Sequence, residues 1–315
     1  MTGRIRAGKS IDIKNAEVYR TDVKNPRATV VLVQGWNCRA GELEGLAKVL
    51  DDNQYSTRRF ENPGVGKTIL DGTSATDYFN HTARIVAEIC IADGIERPIL
   101  VTHSMGGYTA NAFLNWVRET RAETRLPRAM YEITPAKVNP VLTLPDDKLV
   151  FKLSGWATRM LIENARRNAA RMDSEPTEAN IRSSAIAQKI LLHAFDILGP
   201  TMIRMIGGSR EAAREFGNFT QEALEFDVRL SALQALAMCD YSPNIRGSTI
   251  PAHVRHVYGE HDIFISPEKS IPIAMDMYGD KNSRFSFGML STGHFPHREN
   301  LKLLSSDMLE FLERA

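Results

Sequence analysis

Short apolar runs rich in β-branched residues alternate along this chain with stretches of helical period, and this alternation is the strongest constraint on its fold. The runs that predict strands cover residues 28–34, 55–60, 98–102, 128–133, 253–258 and 284–290. The clearest helical periods cover residues 42–51, 77–92 and 300–313, and a further one follows the turn at 103–107 and continues to about 119. Strands that alternate with helices usually form a parallel sheet with helices on both faces. We therefore predict an α/β fold with a mostly parallel central sheet flanked by helices.

The alternation stops between residues 136 and 240, where only helical periods occur. These periods cover residues 149–160, 181–198 and 224–237, with breakers at 175–176, 199–200 and 207–208. The sequence therefore predicts one core, residues 1–135 plus 241–315, interrupted by an all-helical lid insertion over residues 136–240.

Charge and cysteine content limit the classes of binding partner and the cellular compartments that fit this sequence. Lys plus Arg number 39 and Asp plus Glu 38, so we expect no nucleic-acid partner. Cys38, Cys90 and Cys239 lie far apart, which argues against a disulfide scaffold and a zinc cluster. The basic N-terminus lacks the apolar stretch of a signal peptide, and no run of about 18 apolar residues occurs. We expect a cytoplasmic protein without a membrane span.

The strongest chemical signal is the turn that follows the strand over residues 98–102. Ser104 lies between this strand and a helix, and Gly106 follows two positions later. A serine in a strained strand-to-helix turn is exposed above the sheet edge, where it can act as a nucleophile. The same serine could instead serve only as a helix cap.

A serine nucleophile needs a histidine base and an acid that orients the histidine. Asp262 directly follows one later strand and His294 directly follows the last strand, so the order is serine, acid, histidine. The third requirement is a pair of backbone donors for the oxyanion. The amides of Met105 and Trp36 are the candidates, since Gly35 allows a sharp turn after the strand over residues 28–34.

Other residues are alternative candidates for the acid and the base. Glu132, at the end of a strand, is the alternative acid, and His297 is the alternative base. Asp240 fits a turn or cap better. Cys38 is near the proposed oxyanion loop, but without a charged partner in the sequence it is expected to be buried and inert.

Two metal or phosphate alternatives fit the pattern less well. His253 and His256 lie three apart on a predicted strand and would face opposite sides of the sheet. Residues 64–68, Gly-Val-Gly-Lys-Thr, resemble part of a phosphate loop, but Glu61 occupies the position of its first glycine. We therefore expect no metal and no organic cofactor.

Together these features resemble the α/β-hydrolase superfamily over nearly the whole chain. The family landmarks correspond here to residues 30–36, 61–68, the Ser104 turn, 259–262 and 293–295. Residues 101–110 look most like capped esterases and monoglyceride-lipase-like members. The departures are Gln34 for a histidine, Thr102 for a glycine, and Glu61-Asn62 for an aspartate.

The resemblance implies a Ser104 nucleophile, a His294 base, an Asp262 orienter, and an oxyanion hole built by Trp36 and Met105. Apolar residues of the insertion suggest a lid whose inner face lines an apolar acyl pocket: Trp156, Met160, Phe195, Met202 and Met205. We expect a serine hydrolase that cleaves a carboxylic ester, lactone or thioester of a small molecule with an apolar acyl part.

The alternatives are a carbon-carbon bond hydrolase or lyase on the same scaffold, and a small-ligand receptor that retains the triad. The substrate and the lid residues that select it are not defined by the sequence. The sequence also leaves open whether the chain assembles into a homo-oligomer.

Overall fold

A computed structural model describes residues 16–70, 73–145, eight positions between 152 and 167, residues 178–241, 251, 253–279 and 284–315. Within these residues, no helix is long and apolar enough to cross a membrane. The predicted helical period at 149–160, the breaker at 175–176 and the chain N-terminus lie largely or wholly outside them.

A seven-stranded sheet forms the centre of the described part of the chain, in the order β1-β3-β2-β4-β5-β6-β7. The strands are β1 (Val18–Thr21), β2 (Ala28–Val33), β3 (Tyr55–Phe60), β4 (Ile99–His103), β5 (Ala129–Ile133), β6 (His253–Gly259) and β7 (Arg284–Leu290). Only β1 pairs antiparallel, with β3, and all other neighbours are parallel. The predicted α/β class with a mostly parallel sheet is confirmed.

Helices cover both faces of this sheet. They are α1 (Glu44–Asp52), α2 (Tyr78–Ala92), α3 (Gly106–Thr120), α4 (Glu178–Met205), α5 (Arg210–Leu224), α6 (Val228–Asp240), α7 (Pro267–Tyr278), α8 (Pro296–Glu299) and α9 (Leu301–Arg314). Alternate residues of β2 point to opposite faces, so Val31 and Val33 pack with α2, α3, α6 and α7. Val30 and Leu32 pack with α1 and α9 on the other face.

The chain between β5 and β6 carries the inserted helices α4, α5 and α6. The first two pack against each other in a cluster that includes Phe195, Phe216 and Phe219 and extends to Phe295 beside the sheet edge. In contrast, α6 contributes Leu230 and Met238 to the main core cluster. The insertion thus has an outer helical pair and an inner helix that belongs to the core packing.

Three local predictions were wrong or incomplete. Residues 199–200 do not break a helix, because α4 continues through Pro200; Gly199 packs so closely on Phe216 that an added Cβ would lie 2.0 Å from its ring. The short edge strand β1 and the separate helix α5 were not predicted. The breaker at 207–208 is confirmed, since α4 ends at Met205 and α5 begins at Arg210.

Candidate active site

The turn between β4 and α3 presents Ser104 at the carboxyl edge of the sheet. Ser104 has φ of +49°, in the left-handed region that a side chain other than glycine rarely adopts. The two glycines after Met105 have no room for a side chain. A Cβ on Gly106 would lie 2.6 Å from the Val33 carbonyl oxygen. A Cβ on Gly107 would lie equally close to the Ala136 carbonyl oxygen. The turn is therefore a strained elbow that close backbone contacts hold in place.

The three side chains predicted as nucleophile, base and acid lie in one hydrogen-bonded row. His294 Nε2 is 3.0 Å from Ser104 Oγ, and His294 Nδ1 is 2.7 Å from Asp262 Oδ2. Both His294 and Asp262 are buried. When Nδ1 carries the proton and donates a hydrogen bond to the Asp262 carboxylate, Nε2 is unprotonated and can accept the serine proton. This is the geometry that general-base activation needs.

Asp262 is fixed by its own loop. Its Oδ1 accepts hydrogen bonds from the amides of Phe264, at 2.8 Å, and Ile265, at 3.0 Å. These amide donors fix the carboxylate and leave Oδ2 directed at His294. Asp262 is therefore oriented by its own loop backbone.

Sequence reasoning missed the carboxylate that holds the His294 loop, Glu299. Its two oxygens accept from the amides of Gly293, at 2.6 Å, and Phe295, at 3.0 Å, on either side of the histidine. Burial raises the pKa of Glu299. Thr134 Oγ1 donates to the His294 carbonyl oxygen at 3.2 Å. The backbone around His294 is thus held from both sides.

A second missed carboxylate, Glu42, lies beneath the nucleophile turn. Its Oε1 is 3.0 Å from His103 Nδ1 and 3.2 Å from His297 Nε2, and all three side chains are buried. Burial would raise the pKa of Glu42, but the two imidazoles lower it well below its usual range. His103 Nε2 in turn lies 3.0 Å from the His294 carbonyl oxygen. The only sequence signal was that His103 precedes Ser104; nothing marked Glu42.

His297, the alternative candidate for the base, does not face Ser104. It lies in α8, as predicted for a first helical turn, and its Nε2 is directed at Glu42. Burial and the neighbouring His103 lower the pKa of His297 to about 4. The alternative acid Glu132 also lies elsewhere: its carboxylate is 2.6 Å from Lys137 Nζ and 2.5 Å from His256 Nε2.

The two candidate oxyanion residues flank the Ser104 turn. Met105 is buried directly after the nucleophile, and Trp36 follows the end of β2. A side chain at Gly35 would crowd this turn, since an added Cβ would lie 3.0 Å from His103 Nδ1 and 3.3 Å from Ser104 Cβ. The Gly35 amide donates to Glu42 Oε2 at 3.4 Å.

A cavity of about 60 Å³ opens beside Ser104 and His294. Its walls are mostly apolar, and they consist of Trp36, Cys38, His103, Ala136, Pro140, Phe219, Met238, Phe264, Ile265 and Phe295. Ala136, Pro140, Phe219 and Met238 come from the described part of the insertion. The apolar insertion residues named from the sequence are not among the walls: Trp156, Met160 and Met205 are exposed, Met202 is half-buried, and Phe195 packs on Phe264.

One group among the described residues has the composition of a metal site: Cys38, Glu42 and His103, whose ligand atoms lie within 4.8 Å of one another. Burial and the Glu42 carboxylate raise the pKa of the Cys38 thiol well above its ordinary value. The thiol donates to the Trp36 carbonyl oxygen at 3.2 Å. A protonated thiol is a poor ligand, so we assign no metal here.

The loop that resembles a phosphate loop is filled by this chain's own groups. The Lys67 amide donates to Glu17 Oε2 at 2.9 Å, and a Cβ on Gly66 would lie 2.5 Å from the same oxygen. The Glu17 amide donates to Thr68 Oγ1 at 3.0 Å. A carboxylate therefore occupies the place that a phosphate would need.

Comparisons with known proteins agree with this architecture. A family model described as serine aminopeptidase, S33 matches residues 24–188, just over half of the 315-residue chain. The search of curated proteins gives no match.

Several solved structures share the fold across nearly their full lengths. An esterase from Thermogutta terrifontis has 19% sequence identity, coverage of 99% of both chains and a TM-score of 0.63. A hydrolase from Oleispira antarctica has 16% identity, coverage of 99% of this chain and 100% of that chain, and a TM-score of 0.67. An enol-lactonase from Burkholderia xenovorans LB400 has 12% identity, coverage of 96% and 99%, and a TM-score of 0.62.

The family match and the sheet topology lead to one assignment. The chain is a hydrolase of the α/β-hydrolase superfamily and belongs to the serine aminopeptidase S33 family within it.

Proposed function

We propose that this hydrolase cleaves carboxylic esters through a covalent acyl-enzyme on Ser104. The observation that carries the proposal is the continuous row from Ser104 Oγ through His294 to Asp262, with contacts of 3.0 and 2.7 Å. Lactones and thioesters present the same carbonyl carbon to the nucleophile and fall within the proposed substrate class.

In this mechanism His294 Nε2 takes the Ser104 proton as Oγ attacks the carbonyl carbon. The amides of Trp36 and Met105 donate to the oxyanion of the tetrahedral intermediate. The intermediate collapses as His294 gives the proton to the leaving oxygen or sulfur, which departs as an alcohol or a thiol. A water molecule, deprotonated by His294, then attacks the acyl-enzyme and releases the carboxylic acid. Asp262 holds the imidazole in the required tautomer throughout.

The size and lining of the cavity support a small apolar acyl group. One water occupies about 10–15 Å³ of such a space, so a cavity of about 60 Å³ holds only a few non-hydrogen atoms. Phe219, Phe264 and Phe295 bound it and offer no charged partner to the acyl chain. We expect kcat/KM to peak at acyl chains of roughly two to four carbons.

The domain division that accompanies this function is also a proposal. The hydrolase core comprises residues 1–135 and 241–315, and residues 136–240 form the insertion. Its outer helices α4 and α5 pack over Phe295 and Phe264 at the cavity, which supports a role as the cover of the acyl pocket.

The test is a panel of p-nitrophenyl esters of graded acyl length, with one thioester and one lactone, assayed with wild type and variants. Ser104→Ala and His294→Ala should lower kcat by roughly four to six powers of ten. The control is Ser305→Ala, a buried serine on α9 whose hydroxyl donates to the Lys302 carbonyl oxygen at 3.2 Å. Ester hydrolysis that persists in Ser104→Ala would refute the nucleophile. Turnover of a β-diketone in place of every ester would refute the substrate class.

A further inference from the structure

The loop that carries Trp36 is held by α6, a helix of the insertion, through three hydrogen bonds, two of them buried and one partly buried. Trp36 Nε1 donates to the Ser231 carbonyl oxygen at 3.2 Å. Asn37 Nδ2 donates to Ser231 Oγ at 3.0 Å, and the Asn37 amide donates to Gln234 Oε1 at 3.3 Å. Ser231 and Gln234 lie three positions apart on α6 and therefore share one helix face.

These contacts fix a strained segment of backbone. Asn37 has φ of +53°, in the left-handed region, and is 1% exposed. The N–H of the peptide between Trp36 and Asn37 donates to Gln234 Oε1, and the indole N–H of Trp36 donates to the Ser231 carbonyl oxygen. The orientation of the Trp36 amide, one peptide earlier, follows from these two anchors.

The side chains that provide the anchors are themselves costly to bury. Ser231 and Gln234 are fully buried on a helix whose other core-facing residues are apolar. A buried hydroxyl or amide destabilises the fold unless it is hydrogen-bonded. Gln234 Nε2 donates to the Tyr78 hydroxyl at 2.7 Å, which orients its Oε1 towards Asn37. These polar groups bond to the Trp36 loop and to Tyr78. If this face of α6 only packed against the core, apolar residues would serve there.

We infer that Ser231 and Gln234 are positioning residues of the oxyanion hole, so that α6 supports catalysis while α4 and α5 cover the substrate. The inference rests on the proposed ester hydrolysis. Neither residue is among those that line the cavity, so neither is expected to contact the acyl group. Their loss should therefore weaken stabilisation of the transition state and leave substrate binding nearly unchanged.

The experiment compares Ser231→Ala and Gln234→Met with Thr220→Val. Thr220 is 1% exposed, lies on α5, and its hydroxyl donates to Asp196 Oδ1 at 2.9 Å within the outer helical pair. For each variant, kcat and KM are measured on the best p-nitrophenyl ester. Inhibition by a short alkylboronic acid, which forms a tetrahedral adduct with a serine nucleophile, is measured alongside inhibition by the matching carboxylic acid.

We expect kcat to fall roughly 10- to 100-fold in Ser231→Ala and Gln234→Met, with KM within about threefold of wild type. Boronic acid affinity should fall with kcat/KM, while affinity for the carboxylic acid stays the same. Thr220→Val should lose thermal stability and keep its kcat. Gln234→Glu retains an acceptor oxygen for the Asn37 amide and should recover most of the kcat lost in Gln234→Met.

A kcat within twofold of wild type in both Ser231→Ala and Gln234→Met would overturn the inference, as would a loss confined to KM. Should Gln234→Met fail to fold, Ser231→Ala tests the inference by the same criterion, since it removes the hydroxyl that accepts from Asn37 Nδ2. A wild type that hydrolyses no ester overturns the proposed function instead, and the inference with it.

Discussion

The buried ion pair between Glu132 and Lys137 gives the sharpest stability prediction. Lys137 Nζ lies 2.6 Å from Glu132 Oε1 and donates to the Tyr278 hydroxyl at 2.8 Å and to Asn111 Oδ1 at 3.0 Å. His256 Nε2 lies 2.5 Å from the other Glu132 oxygen. Burial would raise the pKa of Glu132, but Lys137 and His256 lower it, so the carboxylate is charged at neutral pH.

Replacing one member removes the counter-charge that lies nearest its buried partner. Lys137→Met and Glu132→Gln should each lower the free energy of unfolding by about 3–5 kcal/mol. At 2–4 °C per kcal/mol, the melting temperature should fall by roughly 6–20 °C. The double variant, Glu132→Gln with Lys137→Met, removes both charges together. It should be more stable than either single variant, because the desolvation cost disappears with the attraction.

Urea unfolding of wild type, the two single variants and the double variant gives the three differences in the free energy of unfolding. Measuring kcat below the lowest of the four unfolding temperatures separates effects on stability from effects on catalysis. The double variant should keep kcat within about threefold of wild type, since Glu132 faces Lys137 and not His294. Asp262→Asn should lose about four powers of ten in kcat instead. Strictly additive stability losses would refute the ion-pair reasoning, and a large loss of kcat in the double variant would return Glu132 to the catalytic site.

Three further predictions follow from the site. His297 has a pKa of about 4 when folded against about 6.5 when unfolded, so up to about 3 kcal/mol of stability, present above pH 6.5, is lost as pH falls to 4. Urea unfolding across this range should give a flatter profile for His297→Gln, and equal slopes would contradict the assignment. Gly106→Ala should cost about 1–3 kcal/mol and lower kcat, because its Cβ would meet the Val33 carbonyl oxygen, whereas Gly41→Ala, with nothing within 4 Å, should change neither. Phe219→Ala should shift the best p-nitrophenyl ester towards longer acyl chains, and an unchanged optimum would remove Phe219 from the pocket wall.

The sequence was sufficient to predict that Ser104, Asp262 and His294 lie close together, because each is in the segment that follows a strand. The carboxyl ends of parallel strands meet at one edge of a sheet, so strand order alone brings such residues close. The supporting carboxylates follow no such rule. Glu42 lies in a 3-10 turn 61 positions before His103, and its contact with His297 spans 255 positions. Such pairs depend on how helices dock, which local patterns do not encode.

The insertion was predicted as helical from its periods, but its division into parts was not. A hydrophobic period states that a helix has an apolar face and does not state which neighbour covers that face. Leu230 and Met238 of α6 join the main core, whereas Phe195 and Phe216 join the outer pair. The pair Gly199-Pro200 likewise indicated a break, whereas α4 continues through Pro200 and Gly199 packs against Phe216, a tertiary contact that the local pattern does not show.

Thr102 stands where the family pattern has a glycine, and the geometry explains why the turn tolerates it. The close approaches occur on the other side of the nucleophile, at Gly106 and Gly107, where an added Cβ would lie 2.6 Å from a backbone oxygen. Thr102 pairs in register with Glu132 across β4 and β5, and its hydroxyl donates to that carboxylate at 3.4 Å. The threonine thus belongs to the buried network around Lys137 and does not crowd Ser104. A glycine at this position would leave the Glu132 carboxylate with one donor fewer, so the departure from the family pattern is coupled to the buried ion pair.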